Sequence, residues 1–131
     1  HPFLIDAMVV LPDHLHAPWT LPWDDADLPL RWRLIKTWFS RNLPLVEHRR
    51  ASRVDKGERG IWQRRYWEHL IRDEIDFARH VDYIHWNPVK HGHVARVEDW
   101  PYSTFHRFVR DGVLAEDWGC AVDDADFGEP R

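Results

Sequence analysis

Phe3-Leu4-Ile5-Asp6-Ala7-Met8-Val9-Val10-Leu11-Pro12-Asp13-His14-Leu15-His16 is the stretch whose reading decides the fold. Phe3 to Val10 is apolar and β-branched enough to predict a buried strand, with Leu11-Pro12-Asp13 as the turn that closes it. His14 to Thr20 then returns antiparallel. Pro18 lies within that return, and because proline cannot donate to a ladder, the far end becomes an edge or a bulge. Side chains two apart on a strand share a face, so His14 and His16 can offer two imidazoles to one metal ion. Ten histidines supply about one His-x-His by chance. His91-Gly92-His93 is a second instance, read as incidental because it flanks a flexible glycine, whereas His14 and His16 follow a strand and a tight turn.

Downstream, Leu21 to Pro29 is rich in proline and aspartate and reads as a loop. Leu30, Leu34, Ile35, Trp38 and Phe39 have helical spacing, with Arg31, Arg33, Lys36 and Arg41 largely on other faces. Pro44 to Gly60 is a polar, basic loop, and Ile61 to Trp67 a short strand or extended segment. Asp73 is an N-cap for a helix that buries Ile75, Ala78, Val81 and Ile84. Asp76, His80, Tyr83 and Asn87 lie opposite that stripe. Pro88 disfavours helical backbone at Asn87, and Gly92 follows, so the helix is expected to end close to Asn87. A last helix over roughly Ser103 to Arg110 precedes Gly112 and a loose tail.

The chain has 131 residues, 44% of them hydrophobic, enough for one domain with a sizeable core. Nine tryptophans exceed the needs of such a core, so some belong to a surface where flat rings stack on nucleobases; filling an α+β core is the alternative. The single cysteine, Cys120, excludes an internal disulfide and a cysteine-rich zinc site, and fits a reducing, cytosolic setting. No apolar run approaches the roughly 20 residues of a membrane span, and no signal-peptide pattern opens the chain. It begins with His1-Pro2-Phe3 rather than methionine, so an N-terminal piece is expected to precede it.

The formal net charge of −4 argues against nucleic acid only as an average. Arg31 to Arg72 holds twelve Lys/Arg against four Asp/Glu, while the seventeen residues from Ala115 carry six acids and one base. The middle can track a phosphate backbone, with the acidic tail solvated or competing for that surface. A soluble surface of mixed charge explains the same counts.

On a helix, residues four apart share a face, so Tyr83 and Asn87 project together, one a possible nucleophile and the other an amide-oxygen ligand. A phenol with a pKa near 10 needs a nearby base, or a metal that polarises its target, and His80 one turn earlier can serve. Each residue also has an ordinary role: Tyr83 a packed tyrosine, His80 a surface histidine, Asn87 a helix-end cap.

Taken together, Val9 to His16, Trp62-Gln63-Arg64-Arg65-Tyr66-Trp67, Ile71-Arg72-Asp73-Glu74, Tyr83-Ile84-His85-Trp86-Asn87-Pro88-Val89-Lys90 and Trp100-Pro101-Tyr102-Ser103 resemble, in order, the blocks of the HUH-type single-tyrosine transposases, in particular the REP-associated tyrosine transposases of bacteria. The likeness runs from His1 to about Val109. It implies an α+β, ferredoxin-like antiparallel sheet with helices on one face, its first strand missing here. Residues 1–112 would be the N-terminally incomplete catalytic domain and 113–131 an acidic tail. The resemblance further implies cytoplasmic, nucleoid-associated action on single-stranded DNA with a REP-like hairpin, as monomer or homodimer. Mg²⁺ or Mn²⁺ would be held by His14, His16 and Asn87. Tyr83 would attack a phosphate, leaving a 5′-phosphotyrosine and a free 3′-hydroxyl.

Arg33, Lys36, Arg64, Arg65, Arg72 and Lys90 are expected phosphate partners, with Gln63 beside them and Trp62 as a stacking platform. Two other readings use the same residues. One is a non-cutting hairpin-binding module; the other is a metal phosphodiesterase in which water attacks and Tyr83 is structural.

Overall fold

A computed structural model describes residues 1–42 and 67–120. The chain divides into two compact units, one of His1 with Leu21–His69, the other of Pro2–Thr20 with Leu70–Arg131. The segments at 43–66 and 121–131 lie outside the described residues, and with them the expected basic loop and the extended Ile61 to Tyr66.

The second unit begins with the predicted hairpin, in four short strands: β1 (Leu4–Ile5), β2 (Val9–Val10), β3 (Leu15–His16) and β4 (Trp19–Thr20). β1 pairs with β4 in the register Leu4 to Thr20 and Ile5 to Trp19, and β2 with β3 as Val9 to His16 and Val10 to Leu15. The outgoing chain therefore holds one more residue than the return between the two ladders, which is a bulge. Pro18 causes it. Its carbonyl accepts the Asp6 N–H at 3.0 Å, but it has no N–H to give back.

The expectation of a buried first strand needs correction. Ala7, Val9 and Leu11 point inward, whereas Leu4 is 65% exposed and Ile5 and Val10 are also outward. Alternation on a ribbon covered on one face accounts for Val10, whereas both residues of β1 lie beyond the covered stretch. The other edge of the outgoing strand takes a further segment: the Val10 N–H donates to the Tyr102 carbonyl and the Thr104 N–H to the Met8 carbonyl, both at 2.9 Å. Among the described residues these short ladders do not extend to a wider ferredoxin-like sheet.

The helix at Tyr83, here called α2, spans Glu74–Lys90, and the Asp73 side chain caps it by accepting the Asp76 N–H at 2.8 Å. It does not stop at Asn87. Pro88 sits inside the last turn, and the stop comes at Gly92, whose φ of +75° only glycine adopts without cost. The His93 N–H reaches the Pro88 carbonyl at 2.9 Å and the Gly92 N–H the Val89 carbonyl at 3.0 Å, a Schellman closure. The expected buried stripe also holds only in part. Val81 and Ile84 are buried, Ile75 is 66% exposed and Ala78 is exposed, while Tyr83 to Pro88 is buried without a break.

Two apolar clusters hold this unit. Val9 and Leu11 meet Ile84, with Trp100 packed against them. Trp86 and Val97 meet Phe105 of the short helix α3 (Phe105–Arg110), joined by Val89, Val109, Leu114 and Trp118. The tail expected to be loose is thus packed as far as Trp118.

In the other unit, α1 spans Leu28–Arg41, with Asp27 accepting the Leu30 N–H at 3.0 Å. Its buried residue is Arg31, while Leu34, Trp38 and Phe39 of the apolar stripe are exposed. Arg31 meets both oxygens of Asp25, at 3.0 and 3.3 Å. That donation holds the Asp25 carboxyl below its usual range. No helix of the described residues is long and apolar enough to cross a membrane.

Candidate active site

The turn between β2 and β3 is closed by the Leu11 N–H on the His14 carbonyl at 2.8 Å, and it delivers the two histidines side by side. Their ring centroids are 5.0 Å apart, edge to face. The Asp13 carboxylate lies 2.6 Å from His14 Nδ1. A carboxylate only accepts, so Nδ1 carries the proton and the Nε2 lone pair is left for another partner. The same hydrogen bond holds the Asp13 carboxyl below its usual range.

α2 packs across this hairpin and brings Tyr83 to it. The Tyr83 ring stands 5.6 Å from the His16 ring at 75°, and is 8% exposed. Two turns on, the Lys90 ammonium sits over the same phenol, 4.8 Å from its centroid. A cation there is attracted by the face of the ring. Asn87, one turn after Tyr83, is fully buried, and neither its amide oxygen nor its amide nitrogen has a hydrogen-bond partner among the described residues. An unpartnered buried amide costs stability. A cation on its oxygen would remove part of that cost, so the amide could serve, together with the His14 and His16 imidazoles, in holding a divalent ion.

His80 turns toward Asp76, with Nδ1 at 2.8 Å from the Asp76 carbonyl and 3.2 Å from its carboxylate. Arg72 reaches that carboxylate through its backbone N–H at 2.9 Å and its Nε at 3.4 Å. In the other unit, Arg33 is exposed and the Lys36 ammonium lies 5.9 Å from the Trp32 ring centre. Partial burial lowers the Lys36 pKa. Trp62, Gln63, Arg64 and Arg65 lie outside the described residues.

Sequence reasoning set aside His91, yet its ring stands 5.4 Å from that of His14. The signal was present: His91 follows Asn87 at helical spacing. Reading Pro88 as the helix end concealed it. His85 was also passed over. It is completely buried, with Nε2 2.9 Å from Thr104 Oγ1 and its ring edge-on to Phe108 at 4.8 Å. Burial pushes its pKa down to about 4, helped by the nearby Arg107 and His106 charges.

No protein-family model matches the chain. It is 50% identical over 120 residues to a Haemophilus influenzae protein assigned to the REP-associated tyrosine transposases, covering 91% of this chain and 68% of that one. It is 48% identical over 128 residues to the REP-associated tyrosine transposase of Escherichia coli K12, covering 98% of this chain and 70% of the relative. A solved structure of a REP-associated tyrosine transposase bound to a REP hairpin superposes with a TM-score of 0.75 at 48% identity, over 98% of this chain and 70% of the other.

Proposed function

This chain belongs to the REP-associated tyrosine transposases, and from that premise we propose that it cuts and rejoins single-stranded DNA beside a REP-like hairpin through Tyr83. The observation that carries the reading is the edge contact of the Tyr83 ring with His16, which joins two segments more than sixty residues apart in one place. Nothing about a packed tyrosine alone requires a histidine ring at its edge and a lysine ammonium over its face.

In this reading the Tyr83 oxygen attacks the phosphorus of the scissile linkage. A phosphorus–oxygen bond to tyrosine forms as the bond to the 3′-oxygen breaks. The phenol proton passes to a base, for which we assign His80, and the departing oxygen takes a proton from solvent to become a free 3′-hydroxyl. Attack by a 3′-hydroxyl on the phosphotyrosine reverses the step, so rejoining needs no nucleotide cofactor. His14, His16 and Asn87 would hold Mg²⁺ or Mn²⁺, which when bound orients the phosphate and withdraws charge from its oxygens. Asp13 fixes the tautomer of His14 for that task.

Arg33, Lys36, Arg72 and Lys90, with Gln63, Arg64 and Arg65, are assigned to phosphates and Trp62 to a base. The setting is the bacterial cytoplasm. The test is a denaturing gel of the protein incubated with Mn²⁺ and labelled hairpin DNA, beside a Tyr83→Phe control. A labelled protein band that vanishes in the control is expected. Cut DNA with no attached protein would instead make water the nucleophile. Binding without cutting would leave a hairpin-binding module.

A further inference from the structure

We propose that a row of rings leading away from the candidate active site is a stacking surface for unpaired DNA bases next to the cut phosphate, an inference that rests on the tyrosine-cleavage reading. From His14 the centroids step to His91 at 5.4 Å, His93 at 6.4 Å, Trp100 at 5.4 Å and Tyr102 at 5.7 Å. His91 and His93 are exposed, and Tyr102 is 64% exposed. The row adjoins the ring pair that touches Tyr83, so a strand with one phosphate at Tyr83 places its neighbouring nucleotides along it.

The rings are exposed, but their backbone is held. The Schellman closure at Gly92 fixes where His91 and His93 leave the helix. Trp100 packs on the Val9 and Leu11 cluster and donates its indole N–H to the Val10 carbonyl at 3.0 Å. His93 lies flat on it, with 28° between the planes. The Tyr102 carbonyl accepts the Val10 N–H, which ties that residue to the sheet by backbone alone. Flat rings on a held backbone have only two side-chain torsions to lose when a base stacks on them, and every base has a π-face to offer. The occupant that fits is unpaired, because bases in a duplex have their faces already covered.

The experiment uses the full chain with Tyr83→Phe and no added metal, so that binding is read without cleavage. Fluorescence anisotropy compares a hairpin carrying a single-stranded flank with the same hairpin made abasic through that flank. The parent is expected to bind the normal flank about 10-fold more tightly, as one or two stacked bases provide. Tyr102→Leu, which keeps the backbone tie and apolar bulk, should lose most of that advantage. Tyr102→Phe should keep it, and His93→Ala should weaken it, with binding of the flankless hairpin and thermal midpoints unchanged. A parent indifferent to abasic flanks, or a Tyr102→Leu variant with the full advantage, overturns the proposal. The outcome is separable from the cleavage reading: an adduct at Tyr83 with indifferent flanks removes the row and leaves cleavage. Flank discrimination lost in Tyr102→Leu without any adduct leaves the row on a non-cutting hairpin binder.

Discussion

Asn87 is the side chain least satisfied by protein atoms, being fully buried with both amide groups unpartnered among the described residues. Two explanations make opposite predictions for Asn87→Leu. If the amide oxygen is kept for a cation, a leucine of similar size removes a desolvation cost, and the metal-free protein should be unchanged or more stable by about 1–3 kcal/mol. The rise in thermal midpoint on adding Mn²⁺ should shrink or disappear, since a ligand stabilises only through a site it still binds. Thermal scans with and without Mn²⁺ decide it. A metal-free loss above about 2 kcal/mol would show that the amide has a structural partner and would withdraw it from the ligand set. At this scale much was legible. The period of two placed His14 beside His16, and helical spacing placed Asn87 one turn from Tyr83. What spacing cannot give is a meeting between segments, and so the Tyr83 ring against His16 could not be read from it.

Elements in this chain end where backbone geometry allows rather than where propensity first falls. Pro88 lacks an N–H, but in the last turn that removes only one bond, and α2 continues to a glycine that can take a positive φ. Gly92 and Gly119 separate the backbone term from the packing term. A Cβ at Gly92 meets nothing within 4 Å, whereas one at Gly119 comes within 3.2 Å of the Trp86 ring; their φ values are +75° and +84°. Gly92→Ala should cost about 1 kcal/mol, from the left-handed conformation alone, and Gly92→Asn less. Gly119→Ala should cost more, because the Trp86 cluster must also shift. Urea unfolding of the three variants measures this, and equal losses at the two glycines would refute the distinction. The Asp73 cap, the hairpin and the bulge at Pro18 were readable because each depends on local chemistry. The exposed Ile75 and Ala78 were not. Periodicity names the face of a helix but not how far along that face a neighbour extends.

For the whole molecule, the charge pattern and the buried histidine act at different levels. The surplus of bases between Arg31 and Arg72 was plain in the sequence and bears on partners rather than on fold. His85 was hidden, because its environment comes from three separated segments: Thr104 accepts the Met8 N–H at 2.9 Å and meets His85 at 2.9 Å, while Phe105, Phe108 and Trp118 surround the ring. Folding therefore requires this imidazole to be neutral. Its pKa is about 4 in the folded protein, against an ordinary value of 6.5, so between those pH values the unfolded chain binds the extra proton. The stability that His85 contributes is complete above about pH 6.5, declines as the pH falls, and is exhausted near pH 4, a total of about 3 kcal/mol. Unfolding midpoints in urea from pH 7.5 to 4.5 should fall accordingly, and His85→Gln should show a shallower decline, the difference between the two profiles isolating this one proton. Asp25, held low by Arg31, keeps its contribution above the ordinary carboxylate range and loses it only below that range, so it does not vary in this window. Parallel profiles for the two proteins would mean that His85 is free to protonate in the folded state, and the clasp joining the hairpin, α2 and α3 would have to be looser than its hydrogen bonds indicate.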